Sequence, residues 1–232
     1  MTTSGVTTFN PDLTEIVEEA FERCGGELRT GYDLRTARRS LNLMFTDWAN
    51  RGINMWTMEQ GQQVLTPGTA TYNLPADTVD LLDHVIRTGA GSASTQADLT
   101  ITRISEPTYA TIPNKLQQAR PIQIWIERLN TPRFTVWPVP DNSTTYTLVY
   151  WRLRRIQDAG GGVNTMDMPF RFYNAMVAGL SYYMAMKVPG ALDRLGVLKA
   201  QYDEAWQLAA DEDREKAAVR FVPRQMFIGG GF

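Results

Sequence analysis

The chain contains one cysteine and one histidine in 232 residues. A lone cysteine, Cys24, excludes an intrachain disulfide framework and any zinc cluster built on several cysteines. A lone histidine, His84, excludes a histidine-rich metal site and leaves one candidate for a His-dependent dyad or triad. Excess charge is also missing: 23 Lys and Arg stand against 25 Asp and Glu, a formal balance of -2. That excludes a basic surface spread over the whole chain for gripping nucleic acid, although not a local patch. Membrane spans need ~20 apolar residues. The best candidate, FYNAMVAGLSYYMAM at 172–186, is too short and is interrupted by Asn174 and Ser181, so it reads as a buried helix. Residues 1–9 have neither a basic segment nor an apolar run and do not read as a signal peptide. Lysine is scarce, occurring only at 115, 187, 199 and 216, so 19 of the 23 cations are arginine. Arginine's rigid fork suits interfaces better than lysine's flexible ammonium. GC-rich coding explains the bias equally well.

What is present is a chain of one to two domains, on a prior of roughly 100–200 residues per domain. It is long enough to bury roughly 70–75% of its unfolded surface without disulfides. The pattern predicts helices at both ends and strands between. Asn10-Pro11 reads as an N-cap and first helical position. Leu13, Ile16, Val17, Ala20, Phe21 and Cys24 follow helical spacing to a stop at Gly25-Gly26, with Glu15, Glu18, Glu19 and Glu22 on the other face. A second helix over 32–50 aligns Leu34, Ala37, Leu41, Phe45 and Trp48 and exposes Arg35, Arg38 and Arg39. The two read as an antiparallel hairpin with opposite charge outside. Two readings stay open: solvated faces, whose exposed pairs are worth only ~0–1 kcal/mol each, or an acidic helix meeting a neighbour's basic one.

From 53 to about 163 short alternating runs are broken by Pro, Gly and Asn. Strands are expected over 81–88 and 99–104. Stronger ones lie at 121–129, 133–139 and 145–153, joined by Asn130-Thr131-Pro132 and Pro140-Asp141-Asn142 as an antiparallel meander. The small polar run at 89–97 reads as a loop tip. Asp167 reads as the cap of a helix reaching Val188, apolar on most sides and suited to a bundle centre. A last helix over 191–217 buries Leu192, Leu195, Leu198, Tyr202, Ala205, Trp206 and Ala209. Residues 219–232, VRFVPRQMFIGGGF, are apolar and Arg-bearing without helical period, and a segment that apolar docks on something. The expected fold class is α+β: terminal helices forming an approximately four-helix bundle, an inserted antiparallel β-rich domain and an extended C-terminal arm. Its segments are 1–52, 53–165, 166–218 and 219–232.

Motifs for chemistry are nearly absent. His84 beside Asp83 suits a dyad only if a nucleophile joins them; a packed histidine is the plainer reading. Cys24 lies on an apolar helix face, where a thiol behaves as a small core residue. Gly160-Gly161-Gly162 lacks the Lys-Ser/Thr of a phosphate loop. Arg152, Arg154 and Arg155 form the best basic cluster, beside Tyr150 and Trp151. It suits a nucleic-acid backbone, and a solvated strand end or a protein contact is the plainer reading. No catalytic, cofactor-binding or metal-binding residue is assigned, and no cofactor is expected.

The order of features resembles the head-to-tail adaptor (connector) proteins of short-tailed bacteriophages, the tail tubular protein A type. The resemblance rests on LTEIVEEAFERCG at 13–25, the Arg-rich second helix ending in Trp48, and TYNLP at 71–75. It rests further on RPIQIWIERLNTPRFTVWPVPD at 120–141, TLVYWRLRRIQDAG at 147–160 and PFRFYNAMVAGLSYYMAMK at 169–187. It implies a non-enzymatic structural protein of the virion neck, assembled in the host cytoplasm. Such proteins form a ring, typically of twelve copies, between the portal and the tail nozzle. They extend the DNA channel, which DNA passes without specific binding, and tail fibres or spikes are further partners. No membrane is involved. The arm reaches clefts of the portal ring, a role that falls here on Arg220, Phe221, Val222, Pro223, Arg224, Met226, Phe227 and Ile228, ordering as it docks. Glu15, Glu18, Glu22, Arg35, Arg38 and Arg39 are the inter-subunit candidates from the residue reading. The alternatives are a neck or tail-completion (stopper) protein of another tailed phage, a virion-associated cell-wall hydrolase, and a host-side regulator binding nucleic acid through residues 152–155.

Overall fold

A computed structural model of the chain describes residues 3–27, 31–52 and 55–214. Its fold is α+β, with a helical layer built from both ends of the sequence and a sheet region between. Helix α1 (Leu13–Cys24) starts on a capping box: the Asp12 carboxylate accepts from Glu15 N at 2.9 Å, and Glu15 accepts from Asp12 N at 3.0 Å. The cap therefore falls two residues after Asn10. Only Asp12 has a glutamate three residues on, and the Asn10 side chain instead accepts from the Tyr173 hydroxyl. The next free amides of α1 are met by the glycine loop, with Leu13 N donating to Asn164 O and Thr14 N to Gly162 O. Gly162 is needed for that approach, because a Cβ there would stand 2.9 Å from Thr14 Oγ1. The triple glycine is thus a seat for a helix N-terminus.

Helix α2 (Gly31–Asn50) buries Ala37, Leu41, Met44, Phe45 and Trp48, on the stripe expected. Helix α4 (Tyr173–Ala185) begins six residues after Asp167, behind a 3₁₀ turn at Phe170–Phe172. Asp167 does not cap it, because its carboxylate is taken by Arg154. Helix α5 (Leu195–Glu212) likewise follows a 3₁₀ turn, Leu192–Arg194, which leaves Leu192 exposed. All four helices share one core. Helix α4 lies at its centre, and α1 and α2 each pack more extensively on it than on each other. At Gly179 the crossing with α2 and α5 is so close that a Cβ would collide with Met44 Sδ and stand 2.8 Å from the Tyr202 ring. Trp48 is fully buried there and donates from Nε1 to the Tyr202 hydroxyl at 2.7 Å. Burial pushes the Tyr202 phenol up to about 12, so it stays protonated and available to the indole. Gly179→Ala overfills this crossing and is expected to cost about 1–3 kcal/mol, read as a lower urea midpoint with unchanged slope.

The strands form two four-stranded sheets packed face to face. One has the order β1-β8-β3-β4, from Met58–Leu65, Tyr146–Arg154, Thr78–Thr88 and Ala97–Thr100. The other is β2-β7-β6-β5, from Thr71–Asn73, Arg133–Trp137, Gln123–Glu127 and Thr102–Ile104. A five-residue helix, α3 (Glu106–Ala110), follows β5. Leu65, Leu81, Ile86, Leu148 and Tyr150 of the first sheet meet Ile124, Ile126, Phe134 and Val136 of the second. Two expectations change here. The stretch 99–104 breaks at Ile101 and serves both sheets, antiparallel to β3 and then parallel to β6. The meander is only the β6–β7 hairpin, since β8 crosses to lie between β1 and β3. Among the three alternating isoleucines, Ile124 and Ile126 are buried, while Ile122 precedes the strand and is exposed.

Candidate assembly surfaces

The charged outer faces of α1 and α2 survive folding. Glu15, Glu18, Glu19 and Glu22 are all exposed, as are Arg35, Arg38 and Arg39. Glu15 is engaged in the capping box, and Glu19 pairs with Arg23 at 2.8 Å one turn on. Glu18, Glu22, Arg35, Arg38 and Arg39 form no ion pair among the described residues. Lys187 adds to the basic side: its ammonium donates to Ser40 Oγ at 2.6 Å, and burial followed by the nearby Arg39 charge lowers its pKa. The fold does not bring the two faces together within one chain, because α4 takes the larger contact of each helix.

The basic cluster is used internally. Arg152 bonds Asp77 Oδ1 at 2.5 Å, Glu59 Oε2 at 2.8 Å and Thr78 Oγ1 at 3.0 Å. Arg154 reaches Asp167 with both terminal nitrogens, at 2.5 and 2.9 Å, and Glu59 Oε1 lies 2.6 Å from its Nε. Their side chains are 11% and 10% exposed, so neither fork is free to meet a phosphate. The hydrogen bonds from Arg152 hold the Asp77 carboxyl below the usual carboxylate value. Arg155 alone is exposed; its backbone N–H donates to Asp77 O, and its side chain borders a cleft against α2. The cluster ties strands β1 and β8 to the chain that returns to the helices. Trp56 reinforces the tie by donating from Nε1 to Asp167 O at 3.0 Å. A second tie is Asp213, which accepts from Arg171 and from Met55 N. Sequence reading missed the carboxylate partners Glu59, Asp77 and Asp167. In sequence Asp167 reads as a helix cap, and β1, with its glycine and three glutamines, has too weak an apolar alternation to show.

The residues with catalytic potential are placed apart. Cys24 is 3% exposed, its thiol donates to Ser181 O at 3.1 Å, and burial raises its pKa, which fits a core residue. His84 sits on β3 opposite Tyr150, and Asp83 is its strand neighbour, so the two side chains point to opposite faces. Burial and then Arg103 lower the histidine's pKa. No group of three His, Cys, Asp or Glu among the described residues could hold a metal ion. No helix among them is long and apolar enough to cross a membrane. The arm candidates Arg220, Phe221, Val222, Pro223, Arg224, Met226, Phe227 and Ile228 lie outside the described residues.

Against known proteins, residues 11–224 match the family model described as SU10 adaptor protein. No curated protein matches. The match covers nearly the whole chain, which therefore belongs to the SU10 adaptor family and is a phage head-to-tail adaptor.

Proposed function

We propose that this member of the SU10 adaptor family closes into a ring of about twelve copies, a number set by the resemblance and not by any principle of closure. The ring sits between portal and tail nozzle and continues the DNA channel through the virion neck. The observation that carries the ring is the pair of charged faces: α1 presents Glu18 and Glu22, α2 presents Arg35, Arg38 and Arg39, and none of the five forms an ion pair among the described residues. Two different patches on one subunit make a head-to-tail contact, which gives a ring when the rotation closes. The four long helices are read as a four-helix bundle facing the portal, and the two sheets as the part facing the nozzle. The chain is divided at 1–52, 53–165, 166–218 and 219–232. Arg220 to Ile228 are read as the segment that reaches the portal.

Negative-stain images of the protein mixed with portal test this reading. Rings with a central hole stacked on the portal are expected, and dispersed single subunits at saturating portal would overturn it. Removing residues 219–232 is expected to abolish portal binding in a pull-down while leaving the circular dichroism of the sheets unchanged. Undiminished binding would remove the arm from the reading.

A further inference from the structure

Two clefts lie side by side along the outer surface of α4. One, of about 420 Å³, runs between α1 and α4 and is walled by Phe9, Ile16, Tyr173 and Val177 with Glu15 and Glu19 at its rim. The other, of about 450 Å³, runs between α4 and α5 and is bordered by Ala178, Ala205 and Leu208 with Glu204 at its rim. They share Asn174 and Arg23, and so form one trough over α4 between α1 and α5. Small residues make its floor, because Ala178 and Ala205 carry nothing past Cβ. The exposed Phe9 and Leu208 stand at its two sides. Its rim carries three carboxylates against the one guanidinium of Arg23, and Glu19 already pairs with that group.

We propose that in the free protein residues 219–228 of the same chain lie back in this trough. The segment VRFVPRQMFI brings six apolar side chains other than proline, together with Arg220 and Arg224 and no acid, against a trough that is apolar between α1 and α4, carries Asn174 and Gln201 between α4 and α5, and has an acidic rim. Pro223 disfavours a continuous helix through the segment, and the proposed seating is an extended one. The connection is also in reach. Helix α5 runs down the trough through Glu204 and Leu208, and Asp213 is then fixed beside α4 by Arg171. From Arg214 to Val219 the five Cα-to-Cα steps span up to about 16–18 Å when extended, against about 1.5 Å per residue along the helix they must retrace. Glu15 and Glu19 are one helical turn apart and face the trough, whereas Glu18 and Glu22 form the neighbouring stripe. Seating the arm therefore leaves the proposed ring contact open. The arm then has two alternative seats, its own trough before assembly and the portal after, and does not wait unplaced for its partner. The seat itself is a property of the isolated chain and stands or falls without the portal.

The test uses the full chain with Met226→Cys carrying a nitroxide label, Cys24 being too buried to compete. In dilute isotope-labelled protein the amide signals of Asn174, Gln201 and Leu208 are expected to vanish and to return when the nitroxide is reduced. Signals left intact would overturn the proposal. So would broadening seen only when nitroxide-labelled chains are mixed with isotope-labelled chains lacking the nitroxide, which would put the arm on a second copy. Hydrogen exchange gives a readout without the label: Arg220→Glu with Arg224→Glu is expected to speed exchange of α5 amides around Glu204 and Leu208 several-fold. Unchanged exchange there would overturn it as well.

Discussion

Replacing Arg154 by methionine is expected to lower the melting midpoint by about 6–12 °C, from a loss of about 3 kcal/mol at 2–4 °C per kcal/mol for a chain of this size. The stem of the side chain is retained, so the loss is electrostatic. Arg154 is 10% exposed and stands between Asp167, 20% exposed, and Glu59, 43% exposed. Removing it leaves the largely buried Asp167 carboxylate with the Gln157 backbone N–H as its one remaining hydrogen-bond donor among the described residues. Breaking a buried pair costs about 3–5 kcal/mol, and the lower end applies because Glu59 keeps Arg152 and some water. Arg154→Lys is expected to recover only part, since one ammonium cannot hold both oxygens of Asp167. Trp56 bonds the backbone of Asp167, so its fluorescence should report loosening at the joint before global unfolding. A shift of under about 2 °C, less than 1 kcal/mol on the same scale, would show that the network is ornamental to stability.

The same network sets an acid limit. Asp77 has its carboxyl held below the ordinary 3.8 by Arg152. A group whose folded pKa is the lower one contributes fully above its unfolded value and loses that contribution as pH falls through the folded one. Melting midpoints should therefore be flat from neutral pH down to the carboxylate range and then fall. In Arg152→Met the part of that fall due to Asp77 should disappear.

How much of this was legible follows from where each signal resides. The helical stripes of α1, α2 and α5 were readable because their apolar positions repeat every three or four residues, and the buried sets match in Leu13, Ile16, Ala37, Leu41, Tyr202 and Ala205. Strand β6 is readable by alternation, and β7 and β8 as short apolar and aromatic runs between turn residues, but their pairing is not. A local apolar pattern says which residues are buried and not which sheet a strand joins, so the expected third meander strand, β8, instead lies between β1 and β3. Caps were misplaced at both Asn10 and Asp167 because a capping residue type has competing uses. Which one wins depends on a tyrosine 163 residues away in the first case and on an arginine 13 residues earlier in the second. For the same reason Arg152 and Arg154 looked like a free basic patch. Their partners Glu59 and Asp77 lie 93 and 75 residues from Arg152, and no local pattern announces them. The exposed charges of α1 and α2 were legible because surface residues keep their helical spacing whatever the core does.

Those exposed charges support the other large effect. Arg35→Glu, Arg38→Glu and Arg39→Glu together are expected to leave the protein monomeric by mass photometry at concentrations where the native chain forms rings. One exposed pair is worth only ~0–1 kcal/mol, so a single reversal is expected to do little. Three together turn a sum of weak attractions into repulsion, and like charges facing each other across an interface cost several kcal/mol. A closed ring multiplies the effect, because every contact in it carries the same change. Fold should be untouched, since the three side chains are exposed and unpaired among the described residues. The partner face can then be changed to match. Glu18→Arg with Glu22→Arg is the suitable reversal, because these two lie one turn apart and leave the Glu15 capping box intact. Each face reversed alone should give monomers, and the two combined should restore rings by putting opposite charges back in register. Rings should also weaken in salt, as the Debye length falls from about 8 Å at 0.15 M to about 3 Å at 1 M. Intact rings in the arginine variant would remove the helix-to-helix contact from the reading. Failure of the combined variant to recover would show that the two faces meet other surfaces.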